Sequence, residues 1–370
     1  MGILEKIKDI ESEMARTQKN KATEHHLGML KAKLARLRQQ LLEPPKSSGK
    51  TGEGFEVLKS GDARVALIGF PSVGKSTILS KLTSTQSAQA EYEFTTLTCI
   101  PGVIQYHGAR IQLLDTPGII EGASQGRGRG KQVISVARTA DLILMMLDST
   151  KGEIQKRLLE EELEAIGIRL NSQPPNIYFK QKTAGGVNFT ATVGLTKITE
   201  KLAKSILHEY KIFNCDLVVR CDPTVDELID AIEGRRSYIR CLYVYNKVDQ
   251  LSMEEVDRLA RLPNSVVISC NLNLNLDYLL DKIWEYLSLV RVYTKKRGGN
   301  YHQHFAPDFN DAVILRSGAT VEHVCGYLHK ELANQFKYGL VWGVSAKHCP
   351  QRVGLAHPLE DEDVIQIVKK

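Results

Sequence analysis

A glycine-containing stretch of eight residues constrains this chain more than any other feature of its sequence. It runs from Gly69 to Ser76 and matches the pattern Gly-x-x-x-x-Gly-Lys-Ser. Residues 64–69 form an apolar run of strand length that leads into it, and residues 76–82 have the pattern of a helix. Such a loop cradles phosphate, because its backbone N–H groups curl around the anion and the helix turns its positive end toward it. The sequence therefore predicts a phosphate-binding loop made of Gly69, Pro71, Ser72, Val73, Gly74, Lys75, Ser76 and Thr77.

Further apolar runs of strand length follow this loop and alternate with helical stretches. They lie at residues 111–114, 142–147, 242–245 and 265–268. Buried strands that alternate with helices are typical of a doubly wound, mostly parallel sheet with helices on both faces. The predicted fold class is therefore α/β.

The spacing of these runs is uneven. Far more residues separate the runs at 142–147 and 242–245 than one crossover helix needs. Because the intervening segment has a strand-like run and two helical stretches of its own, we predict a small inserted α+β subdomain. The predicted bounds are 60–168 and 238–290 for the sheet domain and 169–237 for the insertion.

Both ends of the chain have patterns of their own. Aliphatic residues at helical spacing in residues 1–46 predict a helical hairpin, and a stretch rich in proline, serine and glycine then ends it. In residues 291–370, strand-like runs surround one helical stretch, which is typical of a β-grasp module. Basic residues are concentrated from Arg16 to Arg38, where Glu24 is the one acid. This run is either a contact for RNA phosphates or a helix that is solvated or packs on its own domain.

Composition excludes several classes of protein. Hydrophobic residues make up 42% of the chain and charged residues 25%, and no apolar stretch reaches the length of a membrane span. The first ten residues lack the apolar core of a secretory signal. The seven cysteines are scattered without a Cys-x-x-Cys pair, which argues against a zinc site or a redox pair. We therefore expect a protein inside the cell with no membrane partner.

An acidic turn, Asp115-Thr116-Pro117-Gly118, follows the run at 111–114. An acid at the carboxyl end of a parallel strand faces the phosphates, so Asp115 is expected to act on Mg²⁺. The N–H of Gly118 is expected to sense the γ-phosphate. Upstream, Thr95 and Thr96 lie where a threonine can ligate Mg²⁺ only when a triphosphate is present, and we favour Thr96. The predicted magnesium ligands are Ser76, Thr96 and Asp115, and the predicted switch residues are Thr95, Thr96, Asp115 and Gly118.

A second polar motif follows the run at 242–245 and predicts the base. The carboxylate of Asp249 can accept hydrogen bonds from the ring N–H and the exocyclic amine of guanine, a pair of donors that adenine lacks. An acid buried there without a partner is costly, so a site of this kind rejects the wrong base strongly. Asn246 is expected to bond the purine edge and to tie the phosphate loop to this segment, and the stem of Lys247 is expected to lie over the base. The predicted guanine-binding residues are Asn246, Lys247, Asp249, Ser269, Cys270 and Asn271.

With these motifs in place, the chain resembles the developmentally regulated GTP-binding proteins, a branch of the Obg-related GTPases. The resemblance rests on residues 69–77, 92–97, 115–123 and 126–130, and it extends over nearly the whole chain. It implies an α/β P-loop GTPase with a helical arm, an inserted ribosomal-S5-like element and a C-terminal TGS domain of β-grasp type. It further implies a cytoplasmic location, binding of GTP and GDP, a dedicated DRG family regulatory protein as partner, and association with ribosomes or RNA.

Two features bear on the chemistry of hydrolysis. Ile119 stands where GTPases of the Ras type carry a glutamine that orients water. Related proteins with such a replacement often use potassium, held partly by an asparagine of the phosphate loop, and Ser72 takes that place here. Potassium therefore stays an open second cofactor beside Mg²⁺. Arg127 and Arg129, flanked by glycines, are either charge-neutralising auxiliaries or part of a solvated loop.

The sequence thus supports two hypotheses of function. In the first, the chain is a switch that hydrolyses GTP slowly, on the order of 10⁻⁴ to 10⁻² s⁻¹, and reports its nucleotide state to a ribosome-bound partner. In the second, it is an RNA- or ribosome-binding scaffold in which GTP is mainly structural. An ATPase is disfavoured by Asn246 and Asp249.

Overall fold

The computed structural model describes residues 2–42, 61–84, 100–116, 136–234, 236–296 and 306–370. Within these ranges the strands are β1 (Ala63–Gly69), β2 (Ile100–Tyr106), β3 (Ala109–Asp115), β4 (Leu142–Asp148), β5 (Ile168–Leu170), β6 (Ile177–Gln181), β7 (Val187–Ala191), β8 (Cys215–Val219), β9 (Ser237–Asn246), β10 (Ser265–Val267), β11 (Leu289–Thr294), β12 (Asp308–Arg316), β13 (Phe336–Trp342), β14 (Gln351–Val353) and β15 (Asp363–Lys369). The helices that we label are α1 (Ile3–Arg16), α2 (Glu24–Leu42), α3 (Lys75–Ser84), α4 (Gly152–Ile166), α5 (Glu200–Glu209), α6 (Val225–Glu233), α7 (Met253–Ala260), α8 (Leu276–Leu287) and α9 (Val321–Leu328).

A central sheet organises the first two thirds of the described chain. Its strands lie in the order β10-β9-β4-β1-β3-β2, and β5 pairs with the first residues of β9. All neighbours are parallel except β2, which runs antiparallel to β3 at one edge. This arrangement confirms the doubly wound α/β fold that the sequence predicts.

Strand β4 shows why this sequence forms a buried central strand. Its residues 142–147 are all apolar and fully buried, and they alternate between two hydrophobic clusters. Leu142, Leu144 and Met146 pack with α3 and α8, whereas Ile143, Met145 and Leu147 pack with α4 and α7. An apolar run without polar alternation is what a strand covered on both faces requires.

The residues between β5 and β9 form an α+β unit of their own. Its sheet has the order β6-β8-β7, and α5 and α6 cover it with Leu202, Ile206 and Ile229. Because β5 pairs with β9, residues 169–170 and Ser237 belong to the central sheet, so the insertion starts and ends slightly inside the range 169–237.

A buried ion pair ties this insertion to the central sheet. Asp230 of α6 is only 4% exposed. Its two carboxylate oxygens accept hydrogen bonds from Arg169 of β5 at 2.7 and 3.0 Å, and Arg236 lies 3.0 Å from one of them. A buried carboxylate of this kind is tolerated because both of its oxygens have cationic partners.

The N-terminal hairpin packs mainly on the insertion. Ala32 of α2 is fully buried in the same cluster as Leu202 and Leu217. At the other end of the chain, β11 follows α8 almost directly and begins a five-stranded sheet of order β12-β11-β15-β13-β14. Helix α9 covers one face of this sheet through Val321 and Val324, as expected for a β-grasp module. Among the described helices, none combines the length and the apolar character that a membrane crossing needs.

Candidate nucleotide-binding site

Strand register brings the predicted motifs to one edge of the central sheet. Asp115 at the end of β3 pairs with Leu67 near the end of β1, and Asp148 at the end of β4 pairs with Asn246 at the end of β9. The phosphate loop leaves β1 at Gly69 beside Met146 of β4. Parallel strands end on the same side, so the loops that follow them share one rim.

The phosphate loop joins β1 to α3 in a strained but well-bonded turn. Ser72 and Gly74 have positive φ angles of 65° and 98°. The Nζ of Lys75, at the first residue of α3, donates to the carbonyl oxygens of Gly69 at 2.9 Å and Phe70 at 2.8 Å. Burial lowers the pKa of Lys75, and the nearby charge of Asp115 partly offsets that effect. A buried ammonium group that is held only by carbonyl groups is well suited to an anionic ligand. The other predicted residues of this loop are buried (Val73) or exposed to solvent at the rim (Pro71, Ser72, Ser76 and Thr77).

Asp115 and Ser76 form the polar pair that would face magnesium. The hydroxyl of Ser76 donates to Oδ2 of Asp115 at 2.6 Å. The other carboxylate oxygen, Oδ1, is buried and has no hydrogen-bond partner among the described residues. An orphaned carboxylate oxygen beside a hydroxyl fits a hard cation, which prefers oxygen ligands. Mg²⁺ is usually held by one or two protein oxygens together with phosphate oxygens and waters, so a magnesium ion here would need further oxygens beside those of Ser76 and Asp115. Among the described residues, no group of three or more His, Cys, Asp or Glu side chains could hold a metal ion.

Asn246 connects the phosphate loop to the loop after β10. It is 2% exposed. Its Nδ2 donates to the carbonyl of Val73 at 2.8 Å, and its Oδ1 accepts from the N–H of Cys270 at 3.0 Å. The amide therefore holds two loops together.

The residues expected to read the base lie around Asn246. The Oδ1 of Asp249 accepts from the hydroxyl of Ser269 at 2.5 Å. Asp249 is exposed in this structure, so it is not the buried acid that the sequence argument assumed. The cost of leaving it unpaired would arise only when a base covers it. Cys270 is buried, which raises the pKa of its thiol, and Asn271 is exposed.

Lys247 has a partner that the sequence did not suggest. Its backbone is left-handed, with φ at 67°, and its Nζ lies 2.7 Å from Oδ2 of Asp148. Burial works to raise the pKa of Asp148, but hydrogen bonds from Lys247 and Thr150 hold it below its ordinary value. The ion pair therefore fixes the lysine ammonium group beside the end of β4.

Sequence reasoning missed two residues of this site. Asp148 directly follows a buried strand, as Asp115 and Asn246 do, so the same signal could have identified it. Lys81 of α3 donates to the carbonyl of Cys270 and to the side chain of Asn273, and no local pattern predicts that contact. Five predicted residues lie outside the described part of the chain, as does Ile119: they are Thr95, Thr96, Gly118, Arg127 and Arg129.

We expect Gly74→Ala to destabilise the protein through a clash with Asn246. A Cβ at Gly74 would lie 2.4 Å from Nδ2 of Asn246. Gly185→Ala is a matched control, because Gly185 has a similar φ of 105° but no atom within 4 Å of the added Cβ. Both variants carry the strain of a positive φ, and only Gly74→Ala adds overpacking, so its free energy of unfolding should fall by about 1–3 kcal/mol more. Urea denaturation measures both, and equal losses would contradict the tight approach of Asn246.

Comparison with known proteins agrees with this architecture. Residues 64–182 match the MMR_HSR1 family, described as a 50S ribosome-binding GTPase, and residues 184–289 match the C-terminal region of the same domain. Residues 290–369 match the TGS domain. The loops at the rim of the sheet and these matches together define a P-loop GTPase with a C-terminal TGS domain.

Full-length relatives narrow the class to one family. The chain is 84% identical to a developmentally-regulated GTP-binding protein 2 homolog of Dictyostelium discoideum and 70% identical to developmentally-regulated GTP-binding protein 2 of Homo sapiens, and each alignment covers all of both chains. It is 61% identical to developmentally-regulated G-protein 2 of Arabidopsis thaliana, over 100% of this chain and 92% of that one. The chain belongs to the developmentally regulated GTP-binding protein family and has a GTPase domain.

Proposed function

We propose that the chain is a nucleotide-dependent switch that binds GTP with Mg²⁺ at the rim of the central sheet, hydrolyses it slowly and acts on ribosomes. The observation that carries this proposal is one continuous set of hydrogen bonds. It runs from Asp249 through Ser269 to the neighbouring Cys270, whose N–H donates to Asn246, and from there to Val73 of the phosphate loop. Binding of the base at Asp249 and binding of the phosphates at the phosphate loop would be coupled through these contacts.

In this proposal, the residues of the phosphate loop hold the β- and γ-phosphates. Lys75 exchanges its two carbonyl partners for phosphate oxygens, and the loop N–H groups around Gly74 donate to the same anion. Ser76, Asp115 and Thr96 would hold Mg²⁺, which when bound neutralises charge on the phosphates. Thr96, with Thr95 beside it, and Gly118 would change position with the γ-phosphate.

The guanine-binding residues would act through shape and hydrogen bonding. Oxygen Oδ1 of Asp249 accepts from Ser269, but each carboxylate oxygen has two lone pairs, so both remain available to the two donors of guanine. Lys247, held by Asp148, would cover one face of the base. The segment Ser269-Cys270-Asn271 would supply one backbone N–H for the guanine carbonyl, and Asn271 is the candidate donor, because the N–H groups of Ser269 and Cys270 donate to Leu274 and Asn246. These groups together would select guanine over adenine.

Hydrolysis is proposed to be slow, on the order of 10⁻⁴ to 10⁻² s⁻¹. The reason is that Ile119 cannot orient an attacking water as glutamine does. Potassium near Ser72 and the cations of Arg127 and Arg129 are the candidates for supplying the missing charge.

The proposed cellular setting is the ribosome in the cytoplasm, with a DRG family regulatory protein as partner. Support comes from the family description of the G domain as ribosome-binding and from the family to which the chain belongs. The three modules around the G domain, which are the N-terminal hairpin, the insertion and the TGS domain, offer the surfaces through which a nucleotide state would be read.

Ribosome co-sedimentation in two nucleotide states tests this proposal against the scaffold alternative. We expect binding with a non-hydrolysable GTP analogue to be about 5- to 150-fold tighter than with GDP, the usual range of coupling between two sites. A Lys75→Ala variant serves as a control that should bind alike under both conditions. Equal binding of the wild-type chain in both states would favour the scaffold.

A further inference from the structure

The fold divides the basic run of the N-terminal hairpin into two groups. Three cations in α2 are used inside the protein. Lys31 lies 2.5 Å from Asp226, Arg36 donates to the carbonyl of Glu209 at 2.7 Å, and Arg38 lies 2.9 Å from Glu11. The positive charges of these three residues therefore have partners within the protein.

A second group of lysines converges from two modules. Lys19 and Lys21, in the turn between α1 and α2, meet Lys197 of the insertion around a cleft of about 500 Å³. Lys31 also lines this cleft, whereas Glu24 is the one acidic residue among its lining residues. Lys19, Lys21 and Lys197 form no side-chain ion pair within the described ranges, so three ammonium groups are left to an external partner.

Apart from Glu24, the acids nearest to the cleft are already engaged. Asp222 accepts hydrogen bonds from the hydroxyl of Thr196 and from the backbone N–H groups of Thr196 and Lys197. Asp226 pairs with Lys31, and Glu227 caps the first turn of α6. Since the helix N-terminus is satisfied by Glu227, the lysines and not the helix dipole would carry the contact.

We propose that this lysine cleft binds the phosphate backbone of RNA. The proposal deepens the ribosome association proposed above and rests on it. Ammonium groups on flexible stems suit phosphate contacts that do not depend on sequence. None of the described residues that line the cleft is aromatic, so they offer no platform for base stacking, and the expected target is a base-paired stem recognised through its backbone. Because the lysines come from the hairpin and the insertion, an RNA stem here would bridge the two modules.

A triple alanine variant, Lys19→Ala, Lys21→Ala and Lys197→Ala, tests the cleft. Binding of a fluorescein-labelled stem-loop RNA is measured by anisotropy over a range of salt concentrations. The slope of log affinity against log salt should become shallower by about 3, roughly 0.9 for each of the lysine contacts with a duplex, and affinity at physiological salt should fall at least about tenfold. The matched control, Lys8→Ala, Lys180→Ala and Lys330→Ala, removes three exposed lysines from other surfaces and should change both quantities much less. The triple arginine variant of the cleft should restore binding.

Further measurements make the outcomes decisive. Thermal unfolding and GTP affinity should be unchanged in the cleft variant, because none of its residues lies at the nucleotide site. Unchanged RNA binding, or an equal loss in the matched control, overturns the proposal, as does binding to phosphatidylserine vesicles in place of RNA. If the wild-type chain co-sediments with ribosomes and the cleft variant keeps its RNA affinity, only the cleft assignment fails. If no ribosome binding occurs in any nucleotide state but the cleft variant loses RNA binding, only the ribosome role fails.

Discussion

Lys75→Ala is expected to weaken GTP binding by about 3–5 kcal/mol, which is the usual cost of removing one partner of a buried ion pair. This corresponds to a loss on the order of 10³-fold in affinity. Lys75 is 7% exposed and is the one cationic residue of the described loop, so no other cation of that loop can replace it. Isothermal titration with GTP in the presence of Mg²⁺ measures the effect.

The same variant should fold normally without nucleotide. Lys75 donates only to two backbone carbonyls there, and burial lowers its pKa while the charge of Asp115 partly offsets that effect, so no hydrogen-bonded ion pair is lost when its side chain is removed. Lys151→Ala is the control for long-range electrostatics, because Lys151 follows β4 at the same rim but is exposed at the start of α4. Near-wild-type GTP affinity in Lys75→Ala would remove the phosphate role from this loop.

Asp249→Asn is expected to change the base preference of the site from guanine to xanthine. An asparagine amide can donate to the additional carbonyl of xanthine, but it cannot accept from both donors of guanine. The hydroxyl of Ser269 can still donate to the amide oxygen, so the loop should keep its shape. Because sites built on paired hydrogen bonds reject the wrong partner strongly, the ratio of xanthine to guanine affinities should change by about 10⁴-fold or more.

Competition between fluorescent guanosine and xanthosine diphosphates measures this ratio. Asp257→Asn is the matched control, because it removes the same charge from α7, where Asp257 pairs with Arg261 on the surface. It should leave the base preference unaltered. An Asp249→Asn variant that still prefers guanine would show that the base is read elsewhere.

The phosphate loop and Asp115 can be predicted from the sequence because their signals are local, and the structure places both at one rim of the central sheet. Their roles in nucleotide binding stay predictions. In each case a buried strand ends, a polar residue follows, and a parallel sheet brings such ends to one rim. Asp148 shows the same pattern, because it ends the buried strand β4, but it is not among the predicted site residues. The pattern of long apolar runs does not predict β2, β7 or β8. Strand β2 contains Pro101 and Gly102, which break the usual strand pattern, yet an edge strand tolerates proline, and a Cβ at Gly102 would meet Leu79 and Thr83 of α3 within 2.7 Å.

The basic hairpin shows what composition leaves undecided. The run from Arg16 to Arg38 was open between an RNA contact and internal packing. The structure assigns Lys31, Arg36 and Arg38 to ion pairs and hydrogen bonds within the protein, with partners at Asp226, Glu209 and Glu11. Two of these partners are distant in sequence, so no window of neighbouring residues could have identified them.

The sequence by itself determined the fold class and the family, and it predicts which loops bind the nucleotide, because each depends on residues that are neighbours in the chain. Tertiary structure alone decided how those loops connect. Asn246 contacts both Val73 and Cys270, and Lys247 contacts Asp148, only because β1, β4, β9 and β10 lie side by side in one sheet and end at the same edge. Strand order is a long-range property, and the contacts of the site follow from it.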